Sequence, residues 1–416
     1  MNVKWNEQSV NGQVLILSFA AREYTLSTGM LFGANTQASE VRLIGNGQTV
    51  LRSFNGTRLL TMVPGAPPVL LHGLTLLGQL VVEAGWLTMA ECTLDGSMSL
   101  SDGGALRQIG GRVEARSTLF AHNRAGGNGG AFSIDGGHAL LDSCRLEGNV
   151  AGNDGGAVHV RDGSVVLTGG TIIKGNSADN RGDSIFVLGG RVDYKLPCPL
   201  GHYINAAPGA DSTPLTGAVD KSVPLPCAPG LYGDDTYSLA SQSGPGCSGE
   251  CPPGHFCPLG TVTPRPCGAG KFCPGNDLTG RLGATSALPC EEGTYSNVTM
   301  LSSAADCSSC PEGHACTTGS TAPVRCSPGT HAPAPGGLPT CKKCPAGTFQ
   351  DENGAVECKN CTIGCEQPVV FFKLSRIPQT SSPLTLSCHP QIIAQREQQL
   401  HYHAREERTR TRHSQS

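Results

Sequence analysis

Residues 128–153 read NGGAFSIDGGHALLDSCRLEGNVAGN, and they are one period of a repeat. Gly103-Gly104-Ala105 returns as Gly129-Gly130-Ala131 and Gly155-Gly156-Ala157, then in degraded form as Gly182-Asp183-Ser184, so the spacing is nearly constant. A second marker keeps step: Phe120-Ala121-His122-Asn123, Leu146-Glu147-Gly148-Asn149 and Ile173-Lys174-Gly175-Asn176. Two markers in phase define a structural unit rather than a chance recurrence. Between them lie short alternating apolar runs, such as Ala139-Leu140-Leu141 and Val165-Val166-Leu167, bounded by Gly, Asn and Asp. That pattern fits one three-stranded rung of a parallel β-helix. Paired glycines are expected to supply positive-φ corners between the strands of a rung.

Weaker copies at Arg42-Leu43-Ile44-Gly45-Asn46, Gly73-Leu74-Thr75-Leu76 and Cys92-Thr93-Leu94-Asp95-Gly96 extend the coil back to about residue 14. Leucine-rich repeats need another Leu spacing, which is not present. Cys92, Thr118 and Cys144 fall at equivalent places, so the two cysteines stand two rungs apart, roughly 9–10 Å at β spacing. A disulfide cannot span that, and both are read as buried thiols in an inward stack. Over residues 14–196 the Gly-Gly-Ala and Phe-x-x-Asn markers resemble the pectin-lyase-like and polymorphic outer-membrane-protein group of right-handed parallel β-helices.

Some members of that group cleave acidic polysaccharides, which makes catalysis the rival expectation. Asp102, Asn128 and Asp154 each precede a Gly-Gly pair and should form a polar ladder along one edge. Carboxylates so placed could take Ca²⁺, but Asp and Asn also favour turns for their own reasons, and Arg181 at the next step would repel a cation. Glycoside hydrolysis needs two facing carboxyl groups. His122, His138 and His159 lack such partners in the sequence and read as surface or turn residues. No catalytic residue, cofactor or metal ligand is assigned.

Seventeen of the 20 cysteines lie between Cys198 and Cys365, and this marks a second region, 197–366. Within it Cys-x-x-Gly-x-(usually aromatic) recurs eight times, beginning at Cys198, Cys227, Cys251, Cys267, Cys290, Cys310, Cys326 and Cys344; six copies end on Tyr or Phe. A larger duplication overlies it, with Cys251, Cys257 and Cys267 returning at the same mutual spacing as Cys310, Cys316 and Cys326. Few aliphatic side chains are available there, so cross-links must hold the fold. The disulfide candidates are Cys198, Cys227, Cys247, Cys251, Cys257, Cys267, Cys273, Cys290, Cys307, Cys310, Cys316, Cys326, Cys341, Cys344, Cys358, Cys361 and Cys365. Seventeen is odd, so Cys388 pairs with one, or one thiol is free, or its partner lies elsewhere. Cys341-x2-Cys344-x13-Cys358-x2-Cys361 also has the spacing of a four-thiolate zinc site, although the same cysteines recur elsewhere without that grouping.

Cys344-Pro-Ala-Gly-Thr-Phe349 and Cys290-Glu-Glu-Gly-Thr-Tyr295, each followed by Cys-x-x-Cys, resemble the ephrin-receptor-like and tumour-necrosis-factor-receptor-like cysteine-rich repeats. The resemblance implies elongated, disulfide-bonded extracellular modules acting as spacers or binding surfaces. Residues 206–223 read as a loop, and Val192–Tyr203 is expected to dock the first cysteine turn over the last rung, since an uncovered strand edge invites pairing with other chains. Asn297 and Asn55 are the glycosylation candidates.

The whole is expected to be all-β: a right-handed parallel β-helix solenoid (14–196), a small disulfide-rich, loop-dominated module (197–366) and a Gln-, His- and Arg-rich stretch, 367–416, that reads as a disordered tail or a gene-model artefact. Dense cysteine implies an oxidising compartment, hence an extracellular or cell-surface place. The apolar run Val14 to Ala21 is too short for a signal peptide and reads as a strand, so the natural N-terminus is expected to lie elsewhere. A net charge of −3 gives no electrostatic case for nucleic acid, and no segment has the ~20 apolar residues a membrane helix needs. The expected role is a non-enzymatic adhesion, structural or binding protein with a protein or glycan ligand at the cell surface. The alternative is a polysaccharide-binding or polysaccharide-cleaving β-helix.

Overall fold

The computed structural model describes residues 13–19, 22–54, 58–207, 209–234, 242–275, 283–333 and 338–361. Asn55, Cys365, Cys388 and the whole of 367–416 lie outside the described residues. Strands dominate the regular structure. The chain forms two compact units, one of residues 1–250 with 257–263, the other of 251–256 with 264–416.

The first unit is built on a parallel β-solenoid of three main faces. The first face stacks seven strands: Met30–Phe32, Leu60–Met62, Leu80–Val82, Leu106–Gln108, Phe132–Ile134, Val158–Val160 and 185–187. A second face carries Trp86–Ala90, Arg112–Arg116, His138–Asp142 and Ser164–Thr168, with equivalent strands before and after. The third carries Thr93–Asp95, Leu119–Ala121, Arg145–Glu147 and Ile172–Lys174. Register follows the sequence period, since Arg112 pairs with His138 and His138 with Ser164. In His138–Asp142, Ala139 and Leu141 point inward while their neighbours are partly or wholly exposed, the period-2 signature of a half-buried strand. Phe120, Phe132, Leu146, Leu167 and Ile173 fill the axis without solvent exposure.

The paired glycines have two different jobs. Gly103, Gly129, Gly155 and Gly182 have φ near +70° and make the corner, as expected. Gly104, Gly130 and Gly156 do not have positive φ; they are glycine because a Cβ there would collide with a carbonyl oxygen of the next rung. The third residue, Ala105, Ala131 or Ala157, is fully buried. A second ladder runs through Asn123, Asn149 and Asn176. Asn149 Nδ2 donates to Phe120 O and to Asn176 Oδ1, both at 2.9 Å, while its Oδ1 accepts from the backbone N and Nδ2 of Asn123.

The last rung is closed by a segment that reads as loop in the sequence. Ser212–Val219 pairs antiparallel with Ile185–Lys195, and Val223 bridges Ile173, so 212–223 retraces the rung in reverse and covers all three faces. At the corner, the backbone N–H groups of Gly182 and Asp183 donate to Asp220 Oδ1 at 3.0 and 3.3 Å, where lower rungs donate to carbonyls of the rung above. The expected cover, Val192–Tyr203, is therefore corrected: 192–195 belongs to the last rung itself.

Cys198 is also corrected. It is an unpaired, buried thiol that sits in the solenoid core, its backbone N–H donating to Gln242 Oε1 at 2.7 Å. Tyr194, fully buried in the same core, donates through its hydroxyl to Thr171 O at 3.0 Å. Cys92 and Cys144 are likewise free and buried, in line with Thr118 and Thr171. Burial pushes the Cys144 and Cys198 thiols up to about 12 and raises Cys92 too. A raised pKa in the folded state favours folding fully below the unfolded thiol value, and that contribution fades as pH rises toward 12. All three thiols should therefore ignore a thiol-specific reagent at about pH 8 in the native chain and react on denaturation, which mass spectrometry after alkylation reads directly.

Candidate functional site

Two places concentrate chemistry. On the outward side of the first face, register aligns Arg107, Ser133, His159 and Phe186 on consecutive rungs. Acidic and basic side chains of neighbouring turns close over them. Arg107 donates to Asp135 Oδ2 through Nε at 3.1 Å and Nη2 at 3.0 Å, and Arg161 stands 3.4 Å from Asp135 Oδ1. The edge ladder expected from the sequence is present and bonded: Asn128 donates to Asp102 Oδ1, the Asp154 N–H donates to Asn128 Oδ1, and Arg181 grips Asp154 with two bonds of 3.1 and 2.9 Å. Arg161 reaches Asp102 as well, at 4.0 Å. Three carboxylates thus face three guanidinium groups, and Arg181 occupies the place where a cation would have to approach Asp154.

His159 is not the surface residue that the sequence suggested. It is 3% exposed and stacked on Phe186 at 5.9 Å with 16° between the planes, while the Arg181 guanidinium lies 4.3 Å from the Phe186 ring centre. His122 and His138 are exposed, bonded to Asp95 and Ser164. Burial lowers the His159 pKa, outweighing the pull of Asp102 and Asp154. Ser133 Oγ and His159 Nδ1 are both buried without a hydrogen-bond partner among the described residues. Sequence reading missed Arg107, Ser133, Asp135 and Arg161; the repeat step that relates Arg107 to Ser133 and Asp135 to Arg161 was the signal that could have found them. A depressed histidine contributes stability that is complete above its unfolded pKa and is lost as pH falls through the unfolded value toward the folded one, where charging of the unfolded chain competes. The acid limb of a urea midpoint-against-pH curve should accordingly flatten in His159→Phe.

The second place is the cysteine ladder, and its units share one geometry. The two residues that end each Cys-x-x-Gly-x-aromatic copy form a short strand, paired antiparallel with the two residues just before the next cysteine of the ladder. In the first unit these are His202–Tyr203 with Leu225–Pro226 and Leu231–Tyr232 with Gly249–Glu250. In the second they are His255–Phe256 with Arg265–Pro266, Lys271–Phe272 with Leu288–Pro289, and four more through Thr348–Phe349 with Lys359–Asn360. The glycine of each copy turns at positive φ, between 70° and 90° in all eight, and in most copies its carbonyl accepts from the next cysteine N–H, as Gly329 O does from Cys344 N at 3.0 Å.

Disulfides fasten these turns: Cys227–Cys247, Cys267–Cys273, Cys290–Cys307, Cys310–Cys316, Cys326–Cys341 and Cys344–Cys358. Cys251, Cys257 and Cys361 are disulfide-bonded as well. The four-thiolate zinc grouping is thereby split, because Cys341 and Cys344 belong to different bridges. Phe256, the aromatic residue of its copy, packs on Cys267 and Cys273 and so covers their bridge. At the equivalent place of a later copy stands His331, whose Nδ1 is 3.1 Å from Cys358 Sγ. Asn297 is exposed.

This last part of the ladder carries a family signature. Residues 329–368 match the tyrosine-protein kinase ephrin type A/B receptor-like family. The match runs from Gly329 through Cys344, Cys358 and Cys361, and the same turn geometry recurs in the copies before it. Comparison with curated proteins gave no match for the chain. Among the described residues no helix is long and apolar enough to cross a membrane.

Proposed function

We propose that the chain is a non-enzymatic extracellular or cell-surface binding or structural protein, with the solenoid as a rigid scaffold and the cysteine units as spacer and contact surface. One observation carries the reading: fifteen cysteines are disulfide-bonded in a region whose buried hydrophobic cluster beyond the solenoid consists of Cys267, Cys273 and Ala284. Such a fold depends on its bridges, and so on an oxidising compartment. Ligands of this class are cell-surface proteins or glycans, and Asn297 is exposed as a glycan acceptor must be.

The test is the intact mass of the secreted chain after alkylation, with and without prior reduction. The reading predicts that the bonded cysteines become reactive only after reduction. Immediate labelling of the native chain at Cys290, Cys310 or Cys326 would overturn it.

A second reading, a polysaccharide-binding or polysaccharide-cleaving solenoid, draws on the unpartnered Ser133 Oγ and His159 Nδ1 beside Asp135. Against cleavage, Asp102, Asp135 and Asp154 are each already paired with a guanidinium, and glycoside hydrolysis needs one carboxyl protonated and another free. Incubation with pectin or alginate separates the readings: release of unsaturated or reducing ends requires an enzyme.

A further inference from the structure

Of the six bridges named above, five have at least one buried cysteine: Cys227, Cys267, Cys290, Cys310 and Cys326. Cys344–Cys358 is different, because both its cysteines are partly exposed. It is also the bridge with an imidazole against it: His331 stands where most copies have Tyr or Phe, with Nδ1 3.1 Å from Cys358 Sγ. One ligand atom from each of His331, Cys344 and Cys358 lies within 4.8 Å of the other two.

From this geometry we infer that Cys344–Cys358 is a reducible bridge which, once opened by a thiol, forms with His331 a three-ligand site for Zn²⁺. The steps balance. A thiolate RS⁻ attacks Cys344 Sγ, the bridge breaks, and its electron pair leaves on Cys358 Sγ. That thiolate is stabilised by the Nδ1–H of His331, and a better-stabilised leaving thiolate departs faster. A second RS⁻ then releases RSSR from Cys344, so two thiols are oxidised to one disulfide as the bridge takes up two electrons. The product offers two thiolates and one imidazole, with a fourth position open to water. Tetrahedral zinc with bonds of roughly 2.0–2.3 Å wants its ligand atoms roughly 3.3–3.8 Å apart. The three ligand atoms start within 4.8 Å of one another, and the two sulfurs, bonded to each other in the oxidised chain, part toward that separation once the bridge is opened. A phenyl or phenol ring at position 331 would cover the bridge equally well and offer neither the proton nor the ligand.

The experiment uses the full oxidised chain under limiting reduced glutathione, with opened cysteines alkylated and mapped by peptide mass. Cys344 and Cys358 should label about tenfold faster than the cysteines of the other five bridges. The half-reduced, unalkylated chain, given ZnCl₂ alone and desalted, should retain one zinc; the oxidised chain should retain none. His331→Phe keeps an aromatic cover, so its bridges should remain intact, yet its opening should slow several-fold and its zinc retention vanish. Earlier opening of any of those five bridges, a reduced wild type that keeps no zinc, or full retention in H331F would each overturn the inference.

Discussion

Gly130→Ala should abolish the solenoid rather than loosen it. The added Cβ would collide with Gly156 O and come within 2.7 Å of the Val150 backbone, and backbone cannot step aside without parting two rungs. Every ladder bond between those rungs would lengthen together, so the expected loss exceeds about 4 kcal/mol, outside the range of ordinary substitutions. Gly96→Ala is the control. Gly96 has φ +67° and open space within 4 Å of where a Cβ would stand, so only the left-handed conformation is penalised, at about 1–2 kcal/mol. Urea unfolding followed by circular dichroism should show a shifted but cooperative transition for G96A and no native baseline for G130A. Equal effects in the two variants would mean that the rungs can part at low cost.

Asn149→Ala should be the next most damaging change. The side chain satisfies four buried groups on the two flanking rungs: the Asn123 backbone N and Nδ2 and Phe120 O on one, and Asn176 Oδ1 on the other. Alanine restores none of them, and each buried group left without a partner costs about 1–3 kcal/mol. Some regain partial partners, so a net loss of about 3–5 kcal/mol is expected, read as a lower urea midpoint. Asn176→Ala, at the end of the ladder and 9% exposed, strips the donors of Asn149 but leaves no further asparagine beyond it and should cost less. If the two proved equal, the ladder would be a set of independent contacts rather than a linked column.

Much of this architecture was legible because it repeats. The repeat step placed the inward thiols, the corners and the edge ladder, and Cys-x-x-Gly marked every turn of the second region. What the repeat did not encode was hidden for physical reasons. Ser212–Val219 belongs to no rung, and a covering strand that pairs along one edge needs no apolar alternation; its burial pattern has a single buried residue, Thr213. His159 read as a surface or turn residue because the sequence gives it no partner, yet side chains of neighbouring turns bury it. The second glycine of each pair looked like a second corner, although what it avoids is a carbonyl of the next rung, remote in sequence. Cys198 read as part of the ladder because it opens a Cys-x-x-Gly unit, while its side chain belongs to the solenoid core. The pairing of each cysteine unit with the residues before the next cysteine was invisible, because those residues range from Leu-Pro to Ser-Ser to Lys-Lys.

Asp183 occupies the place that glycine holds in the three preceding rungs, and Asp220 receives the N–H groups that a further rung would have received. A stack of like rungs has no inherent length: each finished end is a template for one more, from the same chain or from another. Here the template is consumed twice over, by a side chain where the next carbonyl would have to come and by a carboxylate already on the donors. Rung number is therefore written at a single place in the chain. Duplications upstream of residue 182 lengthen the rod and leave its terminus intact, whereas loss of the covering segment 212–223, Asp220 included, together with Asp183→Gly would turn a counted stack into one that can keep growing.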